Sequence, residues 1–233
     1  MNKFLSIPHD ERKTYLAVFG VVFIIAISFA LYTNHAWEDY YITYRPSKNL
    51  ATGHGLVFTP GQKVHTFTSP SNVLIPAILS MMTGNRSDDL VLWLYRIICC
   101  FAFGMTAVLL LRIARESSLG FLPTAVLIGM FGLNAKIIDF SVNGQEIAFM
   151  VVFLALALYA LLVPSRSPAL TLGVAWAGLM WTRPDSFVYF GGLTLGFFLF
   201  YKDLPIAKTR VELLKIFLYA GIVTTILYLP WFV

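Results

Sequence analysis

Charge is scarce in this sequence. Only 12% of its 233 residues are Asp, Glu, Lys or Arg, where soluble domains carry about 25%. With 58% apolar residues and a mean hydropathy of +0.75, that scarcity excludes an ordinary soluble domain, and disorder and a coiled coil with it. Cysteine is nearly absent too. Cys99 and Cys100 are adjacent inside an apolar stretch, and neighbouring cysteines rarely pair because the geometry is strained. A disulfide scaffold is excluded, and the two read as small lipid- or bundle-facing side chains. No HExxH, paired CxxC, GxSxG or Walker loop occurs, so zinc-site, serine-hydrolase and nucleotide-hydrolysis readings lack support. No internal repeat is visible. The net charge of +5 is not a nucleic-acid signal in such a chain, because the position of each basic residue relative to a membrane decides its meaning.

What is abundant is apolar sequence in runs. A membrane-crossing helix needs about 20 apolar residues. The runs predict an all-α polytopic membrane protein with about seven spans: Tyr15–Tyr32, Leu90–Ile113, Leu119–Ile138, Ile147–Val163, Leu170–Thr182, Phe187–Tyr201 and Leu213–Val233. The first has no clean cleavage site after it and reads as an uncleaved span. Arg183, Pro184 and Asp185 divide what would otherwise be one overlong run, and charge is costly at mid-membrane, so a tight turn is expected at Arg183–Ser186. Val73–Met82 is too short to cross and suits a re-entrant or interfacial helix. With the N-terminus inside, Lys3, Arg12, Lys13, Arg112, Arg115, Arg166, Lys202, Lys208, Arg210 and Lys215 lie inside, against Arg45, Lys48, Lys63, Arg86, Lys136 and Arg183 outside, with Arg96 within a span. Making Val73–Met82 a span reverses that balance, and the positive-inside rule favours the non-crossing reading. The N-terminus is therefore expected in the cytoplasm, with one long outer loop at about residues 33–89. The whole of 1–233 reads as a single transmembrane domain. It stops at Trp231-Phe232-Val233, within an apolar run, which is expected of the N-terminal part of a longer protein.

Three polar clusters fall on the outer side: Glu38-Asp39 beyond the first span, Asp139, Asn143 and Glu146 between the third and fourth, and Arg183 with Asp185 between the fifth and sixth. Ionisable residues at membrane ends are expensive to bury and mark sites, so the three together point to one outer polar pocket. Each has a plainer reading. Glu38-Asp39 suits a solvated helix start, where carboxylates favour the dipole; Glu146 suits a cap on the fourth span; Arg183 and Asp185 suit a pair across a turn. His54 and His65 read from their setting as loop residues.

The stretch from Glu38 to Leu79, EDYYITYRPSKNLATGHGLVFTPGQKVHTFTSPSNVLIPAIL, resembles a bacterial family of C-type glycosyltransferases, closest to the terminal arabinofuranosyltransferases of mycobacterial cell walls and their relatives. The likeness rests on Glu38, Asp39, Tyr41, Ile42, Thr43, Arg45, Asn49, Leu50, Ala51, Gly53, Gly55, Val57, Phe58, Pro60, Gly61, Thr68, Ser69 and Pro70, then on Asn143-Gly144-Gln145-Glu146 and on Thr182-Arg183-Pro184-Asp185. The chain departs from the family pattern at Glu38, where Asp is usual, and at Pro46-Ser47, where several members have Tyr-Ala; a proline there is expected to bend the loop helix. Members of that family are commonly longer than this chain, with more spans and often a C-terminal outer domain.

The resemblance implies an inverting enzyme that uses a polyprenyl-phosphate sugar as donor and a cell-envelope glycan, lipid or protein hydroxyl as acceptor, in the inner (plasma) membrane with its site on the outer face. An acceptor hydroxyl needs a base, and a lipid phosphate leaving with negative charge needs cations. On that footing Asp39 is the expected base, Glu38 its helper or a metal contact, and Arg45 and Arg183 the phosphate partners. Glu146 and Asp185 are expected to hold sugar hydroxyls or orient Arg183, and His54, between Gly53 and Gly55, joins the substrate-binding candidates. A divalent cation is an open expectation. Membrane lipids are the remaining expected partners. The alternative is a non-catalytic transporter, flippase-like or scaffold protein, although the charges lie at span ends and the halves do not repeat, unlike many transporters.

Overall fold

The computed structural model describes residues 9–62, 64, 67–200 and 204–231. Lys3, Lys63, His65, Tyr201, Lys202, Phe232 and Val233, which entered the reading above, lie outside the described residues. The described residues form helices and no strand: α1 His9–Thr33, α2 Glu38–Ala51, α3 Pro70–Met82, α4 Asp88–Glu116, α5 Phe121–Gly132, α6 Ala135–Val142, α7 Ile147–Leu162, α8 Pro168–Thr182, α9 Phe187–Leu199 and α10 Arg210–Tyr228.

The seven-span expectation is corrected. Three helices among the described residues are long and apolar enough to cross a membrane: α1 from Glu11, α4, and α10 extended to Trp231; a fourth is reached only if α5 and α6 count as one bent span. The reason is length. The 16 residues of α7, 15 of α8 and 13 of α9 reach only about 20–24 Å at 1.5 Å per residue, short of a hydrocarbon core about 30 Å thick. The run expected as one helix over Leu119–Ile138 breaks into α5 and α6 with a 49° bend, where the Asn134 side chain accepts from the Ile137 N–H and starts a new helix. These apolar helices fit an integral membrane protein.

Small residues set the packing. Helices in a membrane gain little from apolar burial against each other, so close backbone approach matters. A Cβ on Gly104 of α4 would meet the Phe19 ring of α1 at 2.9 Å; on Gly178 of α8, Phe153 of α7 at 2.3 Å; on Gly173 of α8, Val223 of α10 at 2.6 Å. Antiparallel α1 and α4 thus pair, and α7, α8 and α10 extend the bundle from α4. Three apolar cores follow: one in α1, α4 and α6, one in α2, α3, α4 and α7, and one in α7, α8 and α10. Cys99 and Cys100 are both free and buried in α4.

The chain between α1 and α4 folds across the end where α1 finishes and α4 begins. Pro46 sits inside α2 without ending it. Ser69 caps α3, and Pro70 opens it at a position whose N–H needs no partner. Arg96 is buried, lies over the Trp93 ring at 4.5 Å and donates to the His35 carbonyl, tying α4 to the link after α1.

Candidate active site

The turn between α6 and α7 brings the second polar cluster to α2. Gly144 has φ +98°, and a Cβ there would lie 2.6 Å from Cβ of Tyr40. Only glycine combines that backbone with that contact. The Trp37 N–H donates to the Asn143 carbonyl at 3.0 Å, so the start of α2 is fastened to the end of α6. Tyr40 and Tyr44, one turn apart, stack at 5.3 Å and turn inward, and Tyr44 donates to Asp88 at 2.9 Å. Burial pushes both phenols up, Tyr44 to about 12, so both stay protonated and act as packing. With that face buried, Asp39, Ile42 and Thr43 line the other side of α2.

There they border a cavity of about 260 Å³ shared with Phe67, Thr68, Ser69, Asn72, Gln145, Glu146, Ile147 and Arg183. Asp39 is exposed at its wall, and its Oδ2 accepts from Gln145 Nε2 at 3.0 Å. It makes no ion pair among the described residues. Glu146 is nearly buried, with 13% of its side chain exposed. Its Oε1 accepts from Arg183 Nη1 at 3.2 Å and its Oε2 from Asn72 Nδ2 at 3.3 Å.

Arg183 ends α8. Pro184 disfavours helical backbone at the residue before it, and Arg183 is extended at φ −151°. Its Nε and Nη2 donate to both carboxylate oxygens of Asp185, at 3.0 and 3.1 Å. That pairing holds the Asp185 carboxyl below its ordinary range and raises the Arg183 guanidinium further. The tight turn expected at Arg183–Ser186 is a single turn of 3-10 helix at Pro184–Ser186.

The structure therefore brings together Asp39, Glu146 and Arg183, with Asp185 behind Arg183. Glu38 begins α2 beside Asp39 and is exposed, outside the lining of the cavity. Arg45 points away from it: its Nε donates to the Phe58 carbonyl at 3.1 Å and its guanidinium covers the Phe58 ring at 4.5 Å. With Asn49, whose Nδ2 donates to the Val57 and Phe58 carbonyls, it staples the loop after α2 to that helix. His54 is exposed in the same loop, with Nδ1 2.9 Å from the Thr52 hydroxyl. Asp139 faces Asn143 at 2.6 Å and His35 at 3.8 Å, next to the site and outside the cavity lining.

Sequence reasoning gave no role to Asn72 or Gln145. Asn72 is 1% exposed; Tyr95 donates to its Oδ1, while its Nδ2 reaches Glu146 and the Gly144 carbonyl. It is the one amide side chain of a mostly apolar α3, and that is the signal that marks it. Among the described residues no three His, Cys, Asp or Glu side chains gather as they would around a metal ion. The cavity wall carries two carboxylates, Asp39 and Glu146, and one guanidinium, Arg183.

No family model matches this chain. No solved structure matches it either. The chain is 27% identical, over 179 residues, to a terminal β-(1→2)-arabinofuranosyltransferase of Corynebacterium glutamicum, covering 67% of this chain and 26% of that relative. It thus spans about a quarter of the length of the curated relative it matches. At that distance the chain is similar to a glycosyltransferase, and the similarity stops short of naming its donor or acceptor.

Proposed function

We propose that the chain is an inverting membrane glycosyltransferase that moves a sugar from a polyprenyl-phosphate donor to a hydroxyl of a cell-envelope glycan, lipid or protein. The observation that carries this reading is the shared cavity, with the Asp39 carboxylate on one wall and the Arg183 guanidinium on another. The similarity to an arabinofuranosyltransferase supports transfer chemistry there.

In this reading Asp39 takes the proton of the acceptor hydroxyl. The oxygen attacks the anomeric carbon from the side opposite the phosphate, the carbon–phosphate-oxygen bond breaks, and polyprenyl phosphate leaves with the electron pair. Direct displacement inverts the anomeric centre. A positioned base contributes about 10²–10⁴-fold. Arg183 stabilises the charge that grows on the leaving phosphate, since a guanidinium matches phosphate geometry with two hydrogen bonds. Asp185 and Glu146 hold it in place, and Glu146, anchored by Asn72, offers an acceptor for a sugar hydroxyl. Glu38 adds negative charge at the α2 N-terminus, where the dipole favours it. In this reading α1 starts in the cytoplasm of a bacterial inner membrane and the cavity, at its other end, faces out; Arg12, Lys13, Arg112, Arg115 and Arg166 then lie on the cytoplasmic side, as the positive-inside rule favours.

The test is transfer by the full chain in nanodiscs, given a panel of polyprenyl-phosphate sugars. Wild type is expected to release polyprenyl phosphate and Asp39→Asn, still folded, is not. Full activity in Asp39→Asn removes this carboxylate from the mechanism, and binding without release from every donor removes the transferase reading for this chain.

A further inference from the structure

At the end of the bundle away from the cavity, α1, α4 and α5 leave a groove of about 490 Å³. Its walls are apolar, with Val18, Val21 and Ile25 on one side and Leu111, Ile128 and Leu133 around them. Gly129 keeps it open: a Cβ built there meets nothing within 4 Å. The mouth differs from the walls. Arg115, in the last turn of α4, lines the groove, and its guanidinium lies 4.9 Å from the centre of the Tyr15 ring. Its Nη1 is buried with no hydrogen-bond acceptor among the described residues. Thr14 of α1 and Thr124 of α5 belong to the same rim.

Arg12 and Lys13 lie in the first turns of α1, and Arg112 precedes Arg115 by one turn; Asp10, Glu11 and Glu116 are the acidic residues nearby in sequence. Among the described residues Arg12, Lys13, Arg112, Glu11 and Glu116 make no ion pair. A buried guanidinium N–H without an acceptor is rare, because each of its five donors loses water on burial. An anion supplies the missing acceptor. The slot beneath it takes hydrocarbon. A ligand with an anionic head and an apolar tail satisfies both parts of the groove, and a free phosphate satisfies only one.

We propose that this groove binds one anionic phospholipid, with its phosphate on Arg115 and an acyl chain between α1 and α5. A zwitterionic lipid would bring its own cation beside Arg115. Basic pockets between membrane helices recognise anionic lipids on this physical basis. The site lies at the opposite end from Asp39, so it stands or falls apart from the transfer reaction.

The full chain is reconstituted in nanodiscs of equal parts phosphatidylcholine and phosphatidylglycerol, extracted, and its retained lipids are counted by native mass spectrometry. Wild type is expected to keep phosphatidylglycerol over phosphatidylcholine by about fivefold, the contribution of one basic side chain near a membrane surface. Arg115→Gln loses that preference and Arg115→Lys keeps most of it. Arg166→Gln, at an exposed position in the link at the same end, keeps it fully. Gly129→Leu, which fills the slot, lowers retention of both lipids. Circular dichroism of each variant checks that the helices remain. Equal retention of the two lipids by wild type overturns the proposal, because hydrocarbon alone then fills the groove. So does a preference that survives Arg115→Gln, or a groove that holds no lipid and copurifies with a second copy of the chain.

Discussion

Arg183 at the cavity end divides its donors between Asp185 and Glu146, whereas Arg115 at the opposite end keeps Nη1 buried with no acceptor among the described residues. The cavity end is small, polar and cross-linked by hydrogen bonds from α2, α3, α7 and the α8–α9 turn. The other end is larger and apolar, with one guanidinium at its mouth. The contrast teaches where a ligand is required. At the cavity the protein already fixes its own cation and, among the described residues, leaves one carboxylate, Asp39, without an ion pair. At the groove the protein's own groups stop short, and an outside anion completes them.

The largest expected effect is on the cavity's chemistry. Asp39→Asn should lower transfer by about 10²–10⁴-fold while leaving the thermal transition in detergent where it was; parallel losses of activity and folding would assign Asp39 to the scaffold. Next comes the cation opposite. Arg183→Gln should cost about 10²-fold in transfer, the usual size for removing one charge-stabilising donor. Arg183→Lys should recover part of it, because a point charge replaces the fork but not its geometry; release of polyprenyl phosphate under single-turnover conditions reads both.

The same change at the two ends should act with opposite sign on stability. Gly144→Ala forces a side chain into φ +98° and against Tyr40, and should destabilise by about 1–3 kcal/mol. Gly129→Ala adds a methyl into open space within α5 and should stabilise by about 0.5–1 kcal/mol through helix propensity. Thermal unfolding in one detergent compares them directly, and equal shifts would mean that the Gly144 turn does not hold α2.

The smallest effect belongs to Asp185, whose side chain is 63% exposed. Arg183 depresses its folded-state value, so whatever stability the pair adds is present above the ordinary aspartate value of about 3.9 and is lost as pH falls through the folded one. The gap between wild type and Asp185→Asn should therefore stay constant from neutral pH down to about 5 and close only in stronger acid. A gap that closes nearer neutrality would assign the pH dependence to another group.

Much of the helical pattern was legible. Leu90–Ile113 is the core of α4, Val73–Met82 that of α3, and Arg183-Pro184-Asp185 marks the α8–α9 turn. Apolar content did not reveal how far each helix runs. Leu119–Ile138 reads as one continuous run, yet Asn134 offers a cap that starts a second helix at an angle. The site was half legible in the same way. Asp39, Glu146 and Arg183 stood out as charges in an apolar chain and line one cavity. Arg45 and His54 stood out equally, but carbonyls of their own loop and the Thr52 hydroxyl take their hydrogen bonds. Asn72 stayed hidden because a single amide carries no charge to notice, and its importance lies in partners 23 and 74 residues away.

By itself the sequence determined that this chain is helical and made for an apolar surrounding, because composition and run length are local quantities that solvent reads directly. It also determined which side chains are too costly to leave without partners. Only the tertiary structure decided which of those become neighbours and which helices fall short of a full crossing. Those outcomes depend on close contacts such as Gly178 with Phe153 and Gly144 with Tyr40, and a contact between distant residues leaves no periodic trace in the chain.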